Sequence, residues 1–355
     1  MAGWQPGKWC NRSTKRGFAR ASMTNAGAGV LILLLAACGG SPSYEQPAAA
    51  PAMSAAAQVG EKIFSDTSLS GSRGRACSIC HDPANAHAPG NALAAQLGGP
   101  NRNLQGVRQA PGIRYLRFNT AFFFDSEGTP TGGFFWDGRA SSLQVQAAEP
   151  FLNPFEMAMP SKAAVVQRLS QATYATEFRS VFGSNIFADV DLAYGRMTFA
   201  LAQYQKEDAE FAEFSSKYDA FLRGQATLAA QELRGLALFN DPNKGNCAAC
   251  HPSANGADGS LPLFTDFTYD NLGVPRNPDL QANADPTYFD LGLCARPDGS
   301  LSTRTDLCGA FKVSSLRNVG LRHTLRLYGA SVRFTFGWYC GGRSLNFCTT
   351  PPTVG

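Results

Sequence analysis

Cys77-Ser78-Ile79-Cys80-His81 is matched in kind by Cys247-Ala248-Ala249-Cys250-His251, and these two runs decide how the chain is read. Each is C-x-x-C-H, whose two thiols can form thioethers to the vinyl groups of a haem while the adjacent imidazole ligates its iron. The spacing carries the chemistry: two thioethers pin one edge of the macrocycle, and a His that follows directly is brought under the iron by the same short turn.

A bare C-x-x-C is also a thiol–disulfide redox pair, and two of them make a four-cysteine zinc site. Neither accounts for a His at the same place in both runs, in a chain with only four histidines. Zinc ribbons keep their Cys pairs close, whereas 165 residues separate His81 from Cys247. The runs therefore imply two covalently bound c-type haems, attached at Cys77 and Cys80 and at Cys247 and Cys250, with His81 and His251 as iron ligands.

The N-terminus reads as an address. Lys15, Arg16 and Arg20 precede the apolar run from Val30 to Ala37, too short to span a bilayer, so residues 1–37 are expected to be a signal peptide. The run ends in Leu35-Ala36-Ala37-Cys38, which resembles a bacterial lipobox and implies a lipid anchor at Cys38; the other reading is an ordinary secretory signal. Both imply export to the periplasm, where c-type haem is attached. Residues 38–57, rich in Ala, Pro, Gly and Ser and nearly uncharged, read as a flexible linker.

About 300 residues remain, enough for two domains of ordinary size. The expected fold is mainly α and loop-rich: two cytochrome-c-like helical haem domains packed together, an N-terminal one over 58–206 and a C-terminal one over 207–355. Helical spacing of apolar residues marks Ala55 to Phe64, Lys162 to Gly183, Val190 to Gln205 and a pair between Phe211 and Phe239 broken near Gly224. Gln231 to Phe239 mirrors Gln58 to Phe64, each leading by a loop into C-x-x-C-H, which suggests duplication. Cys294 and Cys308 flank a polar loop and suit a disulfide in an oxidising compartment. The net charge of +4 is spread out, without the basic blocks that track phosphates, so nucleic acid is not an expected partner.

The loop after the first run has one histidine, His87, six residues beyond His81. It reads as a solvent-exposed loop His; the alternative is a distal iron ligand, for which six residues is a short reach.

An aromatic block, Phe122-Phe123-Phe124 and Phe134-Phe135-Trp136, continues as Asp137-Gly138-Arg139-Ala140, then Gln146, then Asn153-Pro154-Phe155-Glu156-Met157. With the twin haem runs, this resembles the bacterial di-haem cytochrome c peroxidase family, whose signature has F-W-D-G-R-A, a Gln ten residues after the Trp, and the Glu of N-P-x-E-M ten after that. Phe311-Lys312-Val313-Ser314-Ser315-Leu316-Arg317-Asn318 resembles the family's F-K-x-x-x-L-R-N. The likeness runs from about Gly60 to Leu321.

The resemblance implies that Glu156 is the distal acid–base over the first haem, that Gln146 is its hydrogen-bonding neighbour, and that Trp136 lies between the haems on the electron path. It also implies an inter-domain calcium site with Asn119 as side-chain ligand, a small electron-donor protein (a cytochrome c or a cupredoxin) as partner, hydrogen peroxide as substrate, and allows a homodimer. One positioned carboxylate can serve both proton transfers that peroxide cleavage needs. A surface carboxylate for Glu156, and core packing for Trp136, are the plainer readings.

Two departures stand out. The family continues past the Arg-Asn motif into an aromatic–aromatic–His-x-Gly segment and a helix bearing a Met or Tyr ligand for the second haem. Here Leu321-Arg322-His323-Thr324-Leu325-Arg326 leads into a tail with Cys340 and Cys348, and no Met follows Met197. Only Tyr328, Tyr339 or His323 could serve, and residues 323–355 are read as an out-of-frame tail. The distal loop also offers no good displaceable His, which implies a five-coordinate first haem, as in related di-haem enzymes that oxidise residues of a partner protein.

Three functions are therefore weighed: a peroxidase fed through the second haem, a di-haem oxidase of a protein or organic substrate, and a plain electron carrier. Gln146 and Glu156 disfavour the third, since a carrier has no use for a proton shuttle.

Overall fold

Gly60 is where the helical core closes. A Cβ there would stand 2.1 Å from the carbonyl oxygen of Ala200, so only glycine lets helix α1 (Ala55–Ser65) lie directly on the long helix α6 (Val190–Glu207). Helix α1 starts where Ser54 accepts a hydrogen bond from the Ala57 N–H, and it turns Val59, Ile63 and Phe64 inward at helical spacing. Helix α6 starts on Asp189, whose side chain accepts from the Leu192 N–H, and buries Ala193, Met197, Ala200, Leu201 and Tyr204. The computed structural model describes residues 52–321 and, as backbone, the paired strands Arg326–Leu327 and Ala330–Ser331. The signal segment, Cys38, most of the linker, and the side chains of His323, Tyr328, Tyr339, Cys340 and Cys348 lie outside the described residues.

Between α1 and α6 the chain forms α2 (Cys77–Cys80), α3 (Leu143–Leu152), α4 (Lys162–Leu169) and α5 (Ala175–Phe182). The apolar stretch from Lys162 to Gly183 is thus two helices, broken where residues 170–174 turn. Helices α3 and α4 pack on α6 to complete a core holding Phe151, Val165, Leu169 and Phe178. After α6 come α7 (Lys217–Leu222) and α8 (Ala230–Asn240).

Among the described residues the strands are two-residue antiparallel pairs: besides Arg326–Leu327 with Ala330–Ser331, they are β1 (Leu97–Gly98) with β2 (Leu104–Gln105), β3 (Phe123–Phe124) with β4 (Pro130–Thr131), and β5 (Tyr269–Asp270) with β6 (Phe311–Lys312). The expected helix-rich, loop-rich character is observed.

The two helix-and-turn segments are alike in detail. Helices α1 and α8 are both 11 residues long and each leads into a C-x-x-C-H turn. In each turn the His N–H donates to the carbonyl of the first Cys, at 2.8 Å for His81 and 2.9 Å for His251. They differ in burial: α1 buries five residues, whereas α8 buries none and leaves Leu233 and Leu238 exposed.

A small second core forms around Tyr269, Leu293, Leu301, Leu307 and Ala310, closed by the expected disulfide between Cys294 and Cys308. Arg317 reaches Asp219 with two hydrogen bonds, 2.8 and 3.1 Å, where both side chains are almost wholly buried. Its Nε also donates to Pro262 O, so the 311–318 motif braces the loop that follows the second haem run.

Candidate functional site

Cys77, Cys80 and His81 line a cavity of ≈370 Å³ together with Trp136, Gln146 and Glu156. These residues come from four places. Helix α2 carries the thiols; the turn before α3 carries Trp136; α3 carries Gln146; the turn after α3 carries Glu156.

That last turn is built from the backbone. Asn153 caps the end of α3, and Pro150 lies inside its last turn, where the missing N–H leaves one intrahelical bond unmade. The Glu156 N–H then donates to Asn153 O, the Met157 N–H to Pro150 O, and Glu156 O accepts from the Gly99 N–H at 2.9 Å. Gly98 makes this contact possible, because a Cβ there would stand 2.2 Å from Phe155 O.

The carboxyl of Glu156 takes its hydrogen bond from Asn153 Nδ2 at 2.9 Å. Gln146, the expected hydrogen-bonding neighbour, lines the same cavity, and Asn153, from the Asx turn at the helix end, supplies this bond. The Glu156 side chain is reached by solvent, yet its carboxyl is crowded by protein, and burial pushes its pKa up to about 7 against the pull of Arg139. The solvent that this side chain meets is that of the cavity it lines.

Arg139 lies over the Phe135 ring at 3.6 Å, bonds Asp137 at 3.0 Å and bonds Glu149 at 2.8 Å. Asp137 also meets Arg108, which holds Asp290 with two hydrogen bonds of 2.7 Å. Burial pushes Asp137 up, but the two guanidiniums outweigh it and hold the carboxyl below its ordinary value. Trp136 donates Nε1–H to Gln109 O at 2.8 Å, and its carbonyl accepts from the Lys312 N–H. It is only partly buried, so it forms cavity wall as well as packing.

The donor set at this site fits a c-type haem. Burial pushes the Cys77 thiol up to about 12 and the Cys80 thiol to about 11, holding both as neutral thiols. Burial likewise lowers His81 to about 4, leaving the neutral imidazole a metal needs. The carbonyls of Pro111 and His87 lie close to this ring and oppose the shift, but neither meets hydrogen-bond geometry with Nδ1.

At the second run, His251 Nδ1 pairs with Phe264 O at 2.7 Å, which leaves Nε2 for a metal. Burial still lowers this His. Cys250 Sγ donates to Asp270, and burial with that carboxylate raises the thiol to about 11. Phe264 and Phe239 wall a smaller cavity of ≈90 Å³ alongside.

His87 is not a surface residue. It is fully buried, with its ring 4.0 Å from Phe211 and Nδ1 accepting from Arg114 at 3.2 Å. Left-handed backbone at Ala86 and His87 (φ 55° at each) folds the loop back so that Asp82 pairs with Ala88. Asn119 donates to Gly133 O at 2.6 Å, and its Oδ1, the atom a calcium ligand would use, accepts from the Thr120 N–H.

Two thiol-and-imidazole turns, one facing a cavity with a raised carboxylate, are the donor sets that a pair of c-type haems would use. A family model described as di-haem cytochrome c peroxidase matches residues 54–227. The chain is 38% identical over 279 residues to the methylamine utilization protein MauG of Paracoccus denitrificans, covering 77% of this chain and 70% of that one. It is 30% identical over 269 residues to the cytochrome c551 peroxidase of Nitrosomonas europaea, covering 75% and 66%. Among solved structures, the diheme peroxidase BthA from Burkholderia thailandensis superposes with a TM-score of 0.71 at 36% identity, over 77% of this chain and 68% of that one. The chain belongs to the di-haem cytochrome c peroxidase family, and two haems follow from that membership.

Proposed function

We propose that this protein reduces hydrogen peroxide to water at the cavity of Cys77–His81, with electrons delivered one at a time by a small cytochrome c or cupredoxin through a second haem at Cys247–His251. The balance is H2O2 with two electrons and two protons to two waters. The observation that carries this reading is the meeting of Cys77, Cys80 and His81 with Gln146, Glu156 and Trp136 on one cavity.

A haem held by Cys77, Cys80 and His81 would supply a redox-active iron to this cavity. The chain's own residues do the rest. With a pKa of about 7, Glu156 accepts a proton from the peroxide oxygen at one moment and returns it to the departing oxygen at the next. Asn153 fixes the carboxyl, Gln146 offers an amide to the same space, and Trp136 lies on the route by which electrons arrive. His81, neutral and buried, would ligate the iron.

Export is part of the proposal: the basic-then-apolar leader delivers the chain to the periplasm, with Cys38 as its lipid anchor. The test is turnover of hydrogen peroxide with reduced cytochrome c as donor, in the fully oxidised and half-reduced holoprotein. Oxidation of the cytochrome at two per peroxide supports the reading, and no peroxide-dependent oxidation in either state rejects it.

A second reading, oxidation of a protein or organic substrate by the same site, is favoured by the apolar rim of the cavity, where Val107 and Phe155 are exposed at 41% and 44%. Peroxide consumption without cytochrome oxidation, coupled to loss of an added phenol or indole, would select it.

A further inference from the structure

We propose that the loop closed by the Cys294–Cys308 disulfide is the outer lip of the cavity at Cys77–His81, and that it sets the size of molecule that reaches Glu156. The proposal rests on the peroxidase reading for the identity of that molecule, a small peroxide, and on geometry alone for the lip.

Ala295 and Pro297 line the cavity although they lie some 140 residues beyond Glu156 in the chain. Both are exposed, as are Val107 and Phe155 on the same cavity, so these four apolar residues stand at its solvent edge. The two sides of that edge differ in what holds them. Phe155 belongs to the turn that carries Glu156. Ala295 and Pro297 follow directly on Cys294, which is a member of the small second core.

The base of this lip is pinned from several sides. Leu293 is fully buried and Cys294 nearly so, Leu293 N–H donates to Ala310 O, and the disulfide ties Cys294 to Cys308. Arg296, between the two lip residues, lays its guanidinium over the Phe122 ring at 4.8 Å. Ala and Pro have no long side chain to swing aside, so the opening follows the backbone position that these anchors hold. Hydrogen peroxide needs little room. A hydroperoxide with an aryl group must pass the lip, and a pocket wall that removes room for a few carbons discriminates by one to two orders of magnitude.

Two variants of the holoprotein move the lip in opposite directions: Ala295→Trp fills the edge with the disulfide intact, and Cys294→Ser with Cys308→Ser releases it. For each, the binding rates of cyanide and of 4-phenylimidazole to the ferric first haem are read from the Soret shift, and kcat/KM is compared for hydrogen peroxide and cumene hydroperoxide. Ala295→Trp should lower the bulky-to-small ratio by about tenfold, and the serine pair should raise it by a similar factor. Ratios that stay within about twofold of the parent in Ala295→Trp overturn the lip, whether or not the serine pair folds. Ligand ratios that move as expected while no peroxide is turned over keep the lip and reject the peroxidase reading. Normal turnover with unmoved ratios does the reverse, and failure of cyanide to bind the parent rejects both.

Discussion

Asn153 Nδ2 donates to Glu156 Oε1 at 2.9 Å, while Asn153 Oδ1 accepts from the Phe155 N–H at 2.9 Å. One amide thus closes the turn after α3 and aims the carboxyl that this turn carries. The bond favours the ionised carboxyl and opposes the upward push of burial. Asn153→Ala should therefore raise the Glu156 pKa further. The acid limb of kcat/KM for peroxide should shift alkaline by about half a unit to one unit. Steady-state pH profiles of the two proteins check this.

In the parent protein, Glu156 must be ionised to accept the first proton. With its pKa near 7, kcat/KM for peroxide should rise as pH rises through about 7 and level off above it. The stability linkage runs the other way. A carboxyl whose pKa is raised by folding contributes stability below its unfolded value of 4.5, and that contribution is lost as pH rises through about 7. Glu156→Gln should flatten the activity limb and remove this part of the stability slope in denaturant titrations.

The Asp219–Arg317 pair joins α7 to the motif that braces His251. Burial pushes Asp219 up, but hydrogen bonds from Arg317 and Ser216 outweigh it and hold the carboxyl below its ordinary range. Arg317→Met would strand a buried carboxylate at a cost of about 3–5 kcal/mol, and adding Asp219→Asn should recover part of the loss. Because the folded pKa is depressed, the pair's contribution is present above the ordinary value of 3.8 and is lost as pH falls below that value, through the depressed one. Chemical denaturation of the single and double variants at pH 7 and at about pH 2 tests both statements.

Gly60→Ala places a methyl group against the backbone carbonyl of Ala200, which cannot rotate away. Helices α1 and α6 must separate, and a destabilisation of about 1–3 kcal/mol is expected, read as a lower denaturation midpoint at unchanged m.

The site was legible where its signal is local. C-x-x-C-H is one turn of chain, and the offsets linking Trp136, Gln146 and Glu156 survive because one short helix and its two flanking turns carry all three. Helix α1 was readable to within a residue from apolar spacing alone. The Cys294–Cys308 bridge followed from compartment and spacing. What depended on left-handed backbone or distant contact was hidden. His87 was taken for a surface residue because nothing in Ala86-His87 announces two successive residues at positive φ. Asn153 stood in the quoted motif without a role, since an Asx turn needs three-dimensional geometry to aim its amide. The arrival of Ala295 and Pro297 at the first haem cavity, and of Asp290 at Arg108, depends on packing between segments about 140 and 180 residues apart, which leaves no periodic trace.

The central claim is that Glu156 moves the proton at the cavity of Cys77–His81. Its most direct test is the rate of the first peroxide reaction with holoprotein, followed by stopped-flow absorbance at pH 7.5, for the parent and for Glu156→Gln with both haems confirmed in place. The account predicts a loss of about 10²- to 10⁴-fold in that rate with unchanged haem content. A variant reacting within about threefold of the parent would contradict it.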